Sequence, residues 1–362
     1  AWPALWSQSN AKSDDKPLTL APQHQALLKE YQASMKAYQD AVRNAKSPED
    51  QQKVYREKYP NKMTYAPKFV EIAEKNPQDP VALDALAWVL EFNFGSQSKN
   101  DPRVRAVDLL IQHHIQSEKL GPVCQSLRIN LQKVEEKLLR AVLENNPHKN
   151  VQAEACLALA QNRAQFATFV KRVQERPDVN QWSYYSKEEF EHLLKTDPVK
   201  VEAESARLFK EFADKHLVQL NQQRLTSLCQ NLVYSGGNSA DVLLRTVLEK
   251  DPRREVQGMA CLALGQVLKK QADRLPATDK SAAAVRAESE KLLERAQEKY
   301  GDVKMSYYGT VGAKAKGELF DLRNLSVGKT APEVEGIDQD GRKFKISDYR
   351  GKVVFLDFWS QY

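Results

Sequence analysis

The sequence predicts a mainly α protein: a body of paired helices, followed by a short carboxy-terminal segment that reads as β structure. Three observations carry this. Apolar residues recur at helical spacing over most of the 362 residues, one helix pair is repeated along the chain, and the composition changes at Leu325.

The first 20 residues, rich in Ser, Asp, Lys and Pro between Ser7 and Pro17, read as a disordered lead-in. Residues 21–60 follow as a long amphipathic helix and its connection. Leu27, Leu28, Tyr31, Met35, Tyr38 and Val42 share one face of a helix over Gln23–Ala45. Ser47-Pro-Glu-Asp50 then has the form of a helix start, with serine as N-cap, proline in the first turn and acids behind it.

Residues 61–305 are expected to be the repeat domain. Leu138-Leu-Arg-Ala-Val-Leu-Glu-Asn-Asn-Pro147 matches Leu243-Leu-Arg-Thr-Val-Leu-Glu-Lys-Asp-Pro252. Val151-Gln-Ala-Glu-Ala-Cys-Leu-Ala-Leu-Ala-Gln161 likewise matches Val256-Gln-Gly-Met-Ala-Cys-Leu-Ala-Leu-Gly-Gln266. Both pairs stand at a shift of about 105 residues. A weaker copy runs from Phe69 to Pro77 and from Val81 to Trp88. Each copy is an amphipathic helix stopped at an Asn-Pro or Asp-Pro step, because a residue before proline is pushed out of helical backbone. A second helix follows, with Ala155, Ala158 and Ala160 permitting close approach. These pairs resemble HEAT- or TPR-like units, which bury their apolar faces by stacking and present extended surfaces to protein partners. Phe166–Leu220 separates the strong copies, with a loop at Arg176-Pro-Asp178 and an aromatic cluster at Trp182-Ser-Tyr-Tyr185. Lys280–Tyr300 reads as a charged helix, and residues 306–324, with the Gly- and Lys-rich stretch Gly309–Gly317, as a linker.

Bulk properties narrow the function. The chain is 41% hydrophobic and 28% charged, and its net charge of +6 comes from basic residues interleaved with acids. That pattern argues against a nucleic-acid footprint, which gathers cations on one face. No apolar run reaches the roughly 20 residues of a membrane span. Cys124, Cys156, Cys229 and Cys261 are expected to be buried packing residues, since Cys156 and Cys261 both sit in Ala-Cys-Leu-Ala-Leu. His113-His114 does not read as a metal site, because adjacent helix residues point apart. No cofactor is indicated.

From Leu325 the pattern is that of strands. Asp340-Gly341 is a turn signal, Arg342–Ile346 alternates, and Val353–Phe358 is a continuous apolar run expected to be a buried central strand. Residues 325–362, about a tenth of the chain, resemble the opening of the redoxin branch of the thioredoxin superfamily (AhpC/TSA and TlpA-like proteins). The match runs in order through Val327-Gly-Lys-Thr-Ala-Pro332, the Asp-Gly turn and Ser347-Asp-Tyr-Arg-Gly-Lys352, into the apolar run and Phe358-Trp-Ser-Gln-Tyr362.

The resemblance implies a thiol–disulfide oxidoreductase acting on protein disulfides or dithiols, or else a peroxiredoxin-type peroxidase. A helical interaction scaffold without catalysis is the alternative. It implies that the nucleophile follows Tyr362, so the 362 residues alone are expected to be inactive. It also implies that Trp359 and Tyr362 flank the redox centre and that Asp357 assists proton transfer from behind it. A stop directly before the nucleophile suggests a selenocysteine codon, a contig edge or a cloning boundary. Ala1-Trp-Pro-Ala-Leu-Trp6 suits a mature chain whose leader was removed, or a fragment, and an extracytoplasmic, periplasmic location is expected.

Overall fold

A computed structural model describes residues 20–91, 101–129, 133–178, 186–275, 279–305, 309–326 and 329–357. Helix dominates, and the described residues hold one two-stranded sheet. Residues 1–19 of the expected lead-in and the Trp182–Tyr185 cluster lie outside the described residues, and Leu20 is buried. The chain divides into two compact units, Ala1–Leu220 and Asn221–Tyr362.

In the first unit α1 (Ala21–Asn44) is the long amphipathic helix expected, and Ser47 caps α2 (Pro48–Lys58) by accepting from the Asp50 amide at 3.1 Å. The Tyr31 ring of α1 meets Trp88 edge-on at 5.1 Å, fixing α1 on the pair α3 (Lys62–Lys75) and α4 (Pro80–Leu90). Phe69 and Trp88 pack at 4.1 Å between ring centres. α5 (Pro102–His114) and α6 (Leu120–Ser126) complete this part. Asp79, Asp101 and Asp197 each stand before a proline and cap the helix that proline opens, accepting from an amide two residues on at 2.8–2.9 Å.

The strong repeat is a matter of geometry as well as sequence. α7 (Lys133–Asn145) and α8 (Lys149–Glu175) correspond to α12 (Ala240–Lys250) and α13 (Arg254–Arg274), with α11 (Gln222–Ser235) ahead of α12 in the second unit. At each break the residue before proline accepts from the amide two residues on: Asn146 from His148 at 2.9 Å and Asp251 from Arg253 at 3.0 Å. A glutamine in the next helix then donates back to its carbonyl, Gln152 at 2.7 Å and Gln257 at 2.8 Å.

The repeat also has a further helix, which the sequence showed after the second copy as the charged helix Lys280–Tyr300 but did not show between the two copies. α9 (Lys187–Lys195) and α10 (Pro198–Lys215) fill the stretch between the strong copies, and α14 (Lys280–Tyr300) follows α13. α10 lies on α8 as α14 lies on α13. Ser205 Oγ donates to the Ala160 carbonyl at 2.8 Å, and Ser289 Oγ to the Gly265 carbonyl at 2.7 Å. Cys156 Sγ meets the Leu208 carbonyl at 3.5 Å, and Cys261 Sγ the Leu292 carbonyl at 3.3 Å.

One ion cluster recurs in the same places. Arg140 bridges Glu136 at 2.7 Å and Glu204 at 2.5 Å, as Arg245 bridges Asp241 at 3.5 Å and Glu288 at 2.5 Å. Arg163 adds a second cation to the first cluster by pairing with Glu136. Each cluster joins the first helix of the pair to the helix that covers it.

The segment read as a linker folds instead. Thr310 caps α15 (Val311–Phe320) by accepting from the Ala313 amide at 3.2 Å, and Val311, Ala315 and Leu319 are buried, with α15 packed on α13 and α14. Gly301 and Gly312 let the backbones touch: a Cβ on Gly312 would stand 2.7 Å from the Gly301 Cα. The Gly and Lys content masked an apolar row at helical spacing.

Candidate functional site

The carboxy-terminal segment is a hairpin followed by an open apolar run. β1 (Glu335–Ile337) and β2 (Lys343–Lys345) pair antiparallel, with Gly336 opposite Phe344. The Phe344 ring lies over Gly336, where a Cβ would come within 2.7 Å of its Cζ, so the glycine gives the ring its seat. Lys345 and Glu335 pair across the strands at 2.5 Å. The turn is built by Asp338, whose carboxylate accepts from the Asp340 and Arg342 amides at 2.9 and 2.8 Å. Gly341 takes φ +79°, which a side chain would oppose. This is the turn that Asp340-Gly341 signalled.

Beyond β2 the chain is held back onto the residues that lead into β1. The Ile346 amide donates to the Val334 carbonyl at 3.0 Å and the Ser347 amide to Glu333 Oε1 at 3.1 Å. Asp348 accepts from the Lys345 amide at 2.9 Å and caps a short 3₁₀ turn over Ile346–Tyr349. Gly351 (φ +81°) then turns the chain into the apolar run.

The run itself departs from expectation. Residues 353–357 belong to no ladder, and Val353, Val354, Phe355 and Leu356 are exposed, Phe355 at 88%. A strand of this composition is buried only when sheet neighbours and a covering layer surround it. Among the described residues no strand pairs with it. Asp357, expected to be a buried acid, is exposed as well. Trp359 and Tyr362 lie outside the described residues.

The four cysteines are free and buried. Burial pushes all four thiols up, Cys156 and Cys229 to about 12 and Cys261 to about 11, and Cys124 in the same direction. A thiol held that high supplies almost no thiolate at neutral pH, and thiolate is the attacking form. In the native 362-residue chain at pH 7.5 an aromatic disulfide reagent is therefore expected to react with none of the four within minutes, and with all four in denaturant. A fast native reaction at any of them would show the interior to be open.

Other chemistry is sparse. His114 is buried while its neighbour His113 is half-buried, and the described residues hold no cluster of three His, Cys, Asp or Glu side chains fit for a metal ion. No described helix is long and apolar enough to cross a membrane. In the first unit a cleft beside α2 and α3 is lined by Tyr55, Tyr59, Met63, Val89 and Arg103, among others.

No family model matches the chain. It is similar over short stretches to thiol-disulfide oxidoreductases called ResA. With ResA of Geobacillus thermodenitrificans (strain NG80-2) and of Geobacillus kaustophilus (strain HTA426) it shares 51% identity over 35 residues, 10% of this chain and 20% of the relative. With ResA of Bacillus thuringiensis (strain Al Hakam) it shares 39% over 44 residues, 12% of this chain and 25% of the relative. The chain thus spans between a fifth and a quarter of the length of these curated relatives. No solved structure matches. The likeness supports a thioredoxin-like, redoxin relationship for a short stretch of the chain.

Proposed function

We propose that the protein is a thiol–disulfide oxidoreductase in which a helical-repeat body carries a thioredoxin-like domain of the TlpA-like or redoxin type, with the 329–357 hairpin and run as the start of that domain. The local similarity to ResA is the observation that carries this reading. The hairpin closed by Asp338 and Gly341, and the glycine turn into an apolar run, support it. The reaction is attack of a thiolate on one sulfur of a substrate disulfide, giving a mixed disulfide and releasing the other sulfur as thiolate. A second cysteine thiolate then attacks the mixed disulfide, leaving an intramolecular disulfide on the protein and a reduced substrate.

The attacking group follows Tyr362 in this reading, because the four buried thiols are poor nucleophiles. Trp359 and Tyr362 shield it and Asp357 assists proton transfer once a complete sheet buries that acid. Partners are protein disulfides or dithiols, with a further protein bound on the helical repeats, and the location is extracytoplasmic.

The test is made on the natural gene product. Peptide mapping past Tyr362 is expected to find two redox-active cysteines, or selenocysteine and cysteine, with two residues between them, and the product should catalyse reduction of insulin by dithiothreitol. A product with no such pair and no catalysis overturns the reading. It would leave the helical scaffold as the function, which the burial of every cysteine in the 362 residues already favours as the second reading.

A further inference from the structure

All six histidines, at positions 24, 113, 114, 148, 192 and 216, lie in the first unit and none in the second. Two of them close helices with one ring nitrogen turned into packed interior. His114 ends α5, is 8% exposed, and its Nε2 has no hydrogen-bond partner among the described residues; the ring bonds to the Pro77 carbonyl. His216 follows α10, is 4% exposed, and its Nδ1 has no partner among the described residues, while its ring lies 6.3 Å from that of Phe212.

A neutral imidazole tolerates such a place, since an unpartnered nitrogen carries only a lone pair. Protonation puts a second N–H there, unsatisfied, together with a buried charge. The surroundings do little to offset it. His114 faces His113 of its own helix, Asp84 of α4 and Lys119 ahead of α6, and Asp84 is already paired with Lys119 at 3.4 Å. His216 faces Glu211 and Lys215 of α10 and Lys149 of α8, and Glu211 is already bonded to Lys215 at 2.9 Å. Each acid is thus engaged by a lysine that also repels the imidazolium.

We propose that the first unit is built to loosen in mild acid, with His114 and His216 as its proton-sensitive points, while the second unit keeps its fold. Burial holds both imidazoles below the ordinary value of 6.5, and does the same to His24. The sign follows from linkage. Above pH 6.5 folded and unfolded chains both hold neutral imidazole and nothing is lost. Below it the unfolded chain takes up protons that the folded one resists, and stability falls until the folded pKa is passed. While that lasts, each imidazole lowers the folding constant about tenfold per pH unit. Glu91 and Glu135, whose carboxyls burial pushes up, pull the other way within the same unit, so variants must isolate the histidines.

The experiment is hydrogen exchange of the whole chain between pH 7.5 and 5.5, corrected for the intrinsic pH dependence of exchange. Protection in α5 and α10 is expected to fall relative to α13 and α14, by up to about a hundredfold between pH 7.5 and 5.5. The double variant His114→Asn, His216→Phe should remove most of that difference. Each single variant, read if the double one does not fold, should remove about half of its logarithm. Equal losses in both units, or an undiminished acid response in the variants, would overturn the proposal.

Discussion

Replacing Arg103 by methionine is expected to lower the stability of the first unit by about 3–5 kcal/mol at neutral pH. Arg103 is buried between two equally buried acids. Its Nη2 reaches Asp101 at 3.0 Å and its Nη1 reaches Glu135 at 3.4 Å, with side-chain exposures of 2%, 1% and 0%. Methionine fills much of the volume but leaves two carboxylates facing low dielectric, and Glu135 Oε2 already has no partner among the described residues. Burial pushes the Glu135 carboxyl up, and the Arg103 cation is what pulls it back down. Without the cation that carboxyl rises further, so the folded variant favours the protonated acid. Its deficit is then largest above the raised pKa and shrinks as pH falls through it, a sign opposite to that of the histidines. Urea unfolding of the variant at pH 5 and pH 8, followed by exchange in α5 and α7, checks both magnitude and direction. A loss below about 1 kcal/mol at pH 8 would mean that the triad relaxes toward water.

The second large effect falls in the other unit. Gly258→Val is expected to destabilise Asn221–Tyr362 by about 1–3 kcal/mol, as overpacking a filled interior does. α14 crosses α13 at two glycines a heptad apart. A Cβ on Gly258 would lie 2.9 Å from Tyr300 Cβ, and one on Gly265 would lie 2.9 Å from Leu293 Cγ. Tyr300 and Leu293 are fully buried and have no room to retreat. The corresponding positions of the first unit are Ala153 and Ala160, both buried, so a methyl group is accommodated there. Gly258→Ala separates the terms, since alanine regains helix propensity of about 1 kcal/mol against its clash. Thermal melts should rank wild type above both variants, with valine lowest.

Much of this arrangement was legible in the sequence. The shift of about 105 residues exposed the pairs α7–α8 and α12–α13, and the Asn146-Pro and Asp251-Pro steps marked their breaks, because a proline restricts its predecessor whatever the tertiary context. The burial of the cysteines followed from Ala-Cys-Leu-Ala-Leu, and the hairpin turn from Asp340-Gly341. Lys280–Tyr300 was read as a helix, but its equivalence to α10 stayed hidden for a definable reason. Ser289 stands 84 residues after Ser205 while Cys261 stands 105 after Cys156, so a change of loop length breaks the register. The bonds that tie the helices depend on one serine and one acid in each copy, too few to show by identity. Arg140 and Arg245 were part of the matched sequence, but their partners Glu204 and Glu288 lie far along the chain.

The candidate site was less legible. An apolar run such as Val353–Leu356 specifies a preference for burial and says nothing of the neighbours that would supply it. The described residues leave it uncovered, and Asp357 with it. His114 was weighed only as half of a metal pair and His216 was passed over, because a single imidazole at a helix end has no sequence signal of its own. Only the packing around His114 and His216 shows that each has a nitrogen without a partner among the described residues.

The central claim is that redox chemistry in this protein belongs to the domain begun at 329–357 and not to the thiols of the helical body. Trapping the mixed disulfide tests it most directly. The natural gene product is allowed to attack a protein disulfide, quenched in acid, and the covalent junction is mapped by mass spectrometry. The junction is predicted to lie on the residue that follows Tyr362, with Cys124, Cys156, Cys229 and Cys261 recovered as free thiols. A junction on any of those four would contradict the account.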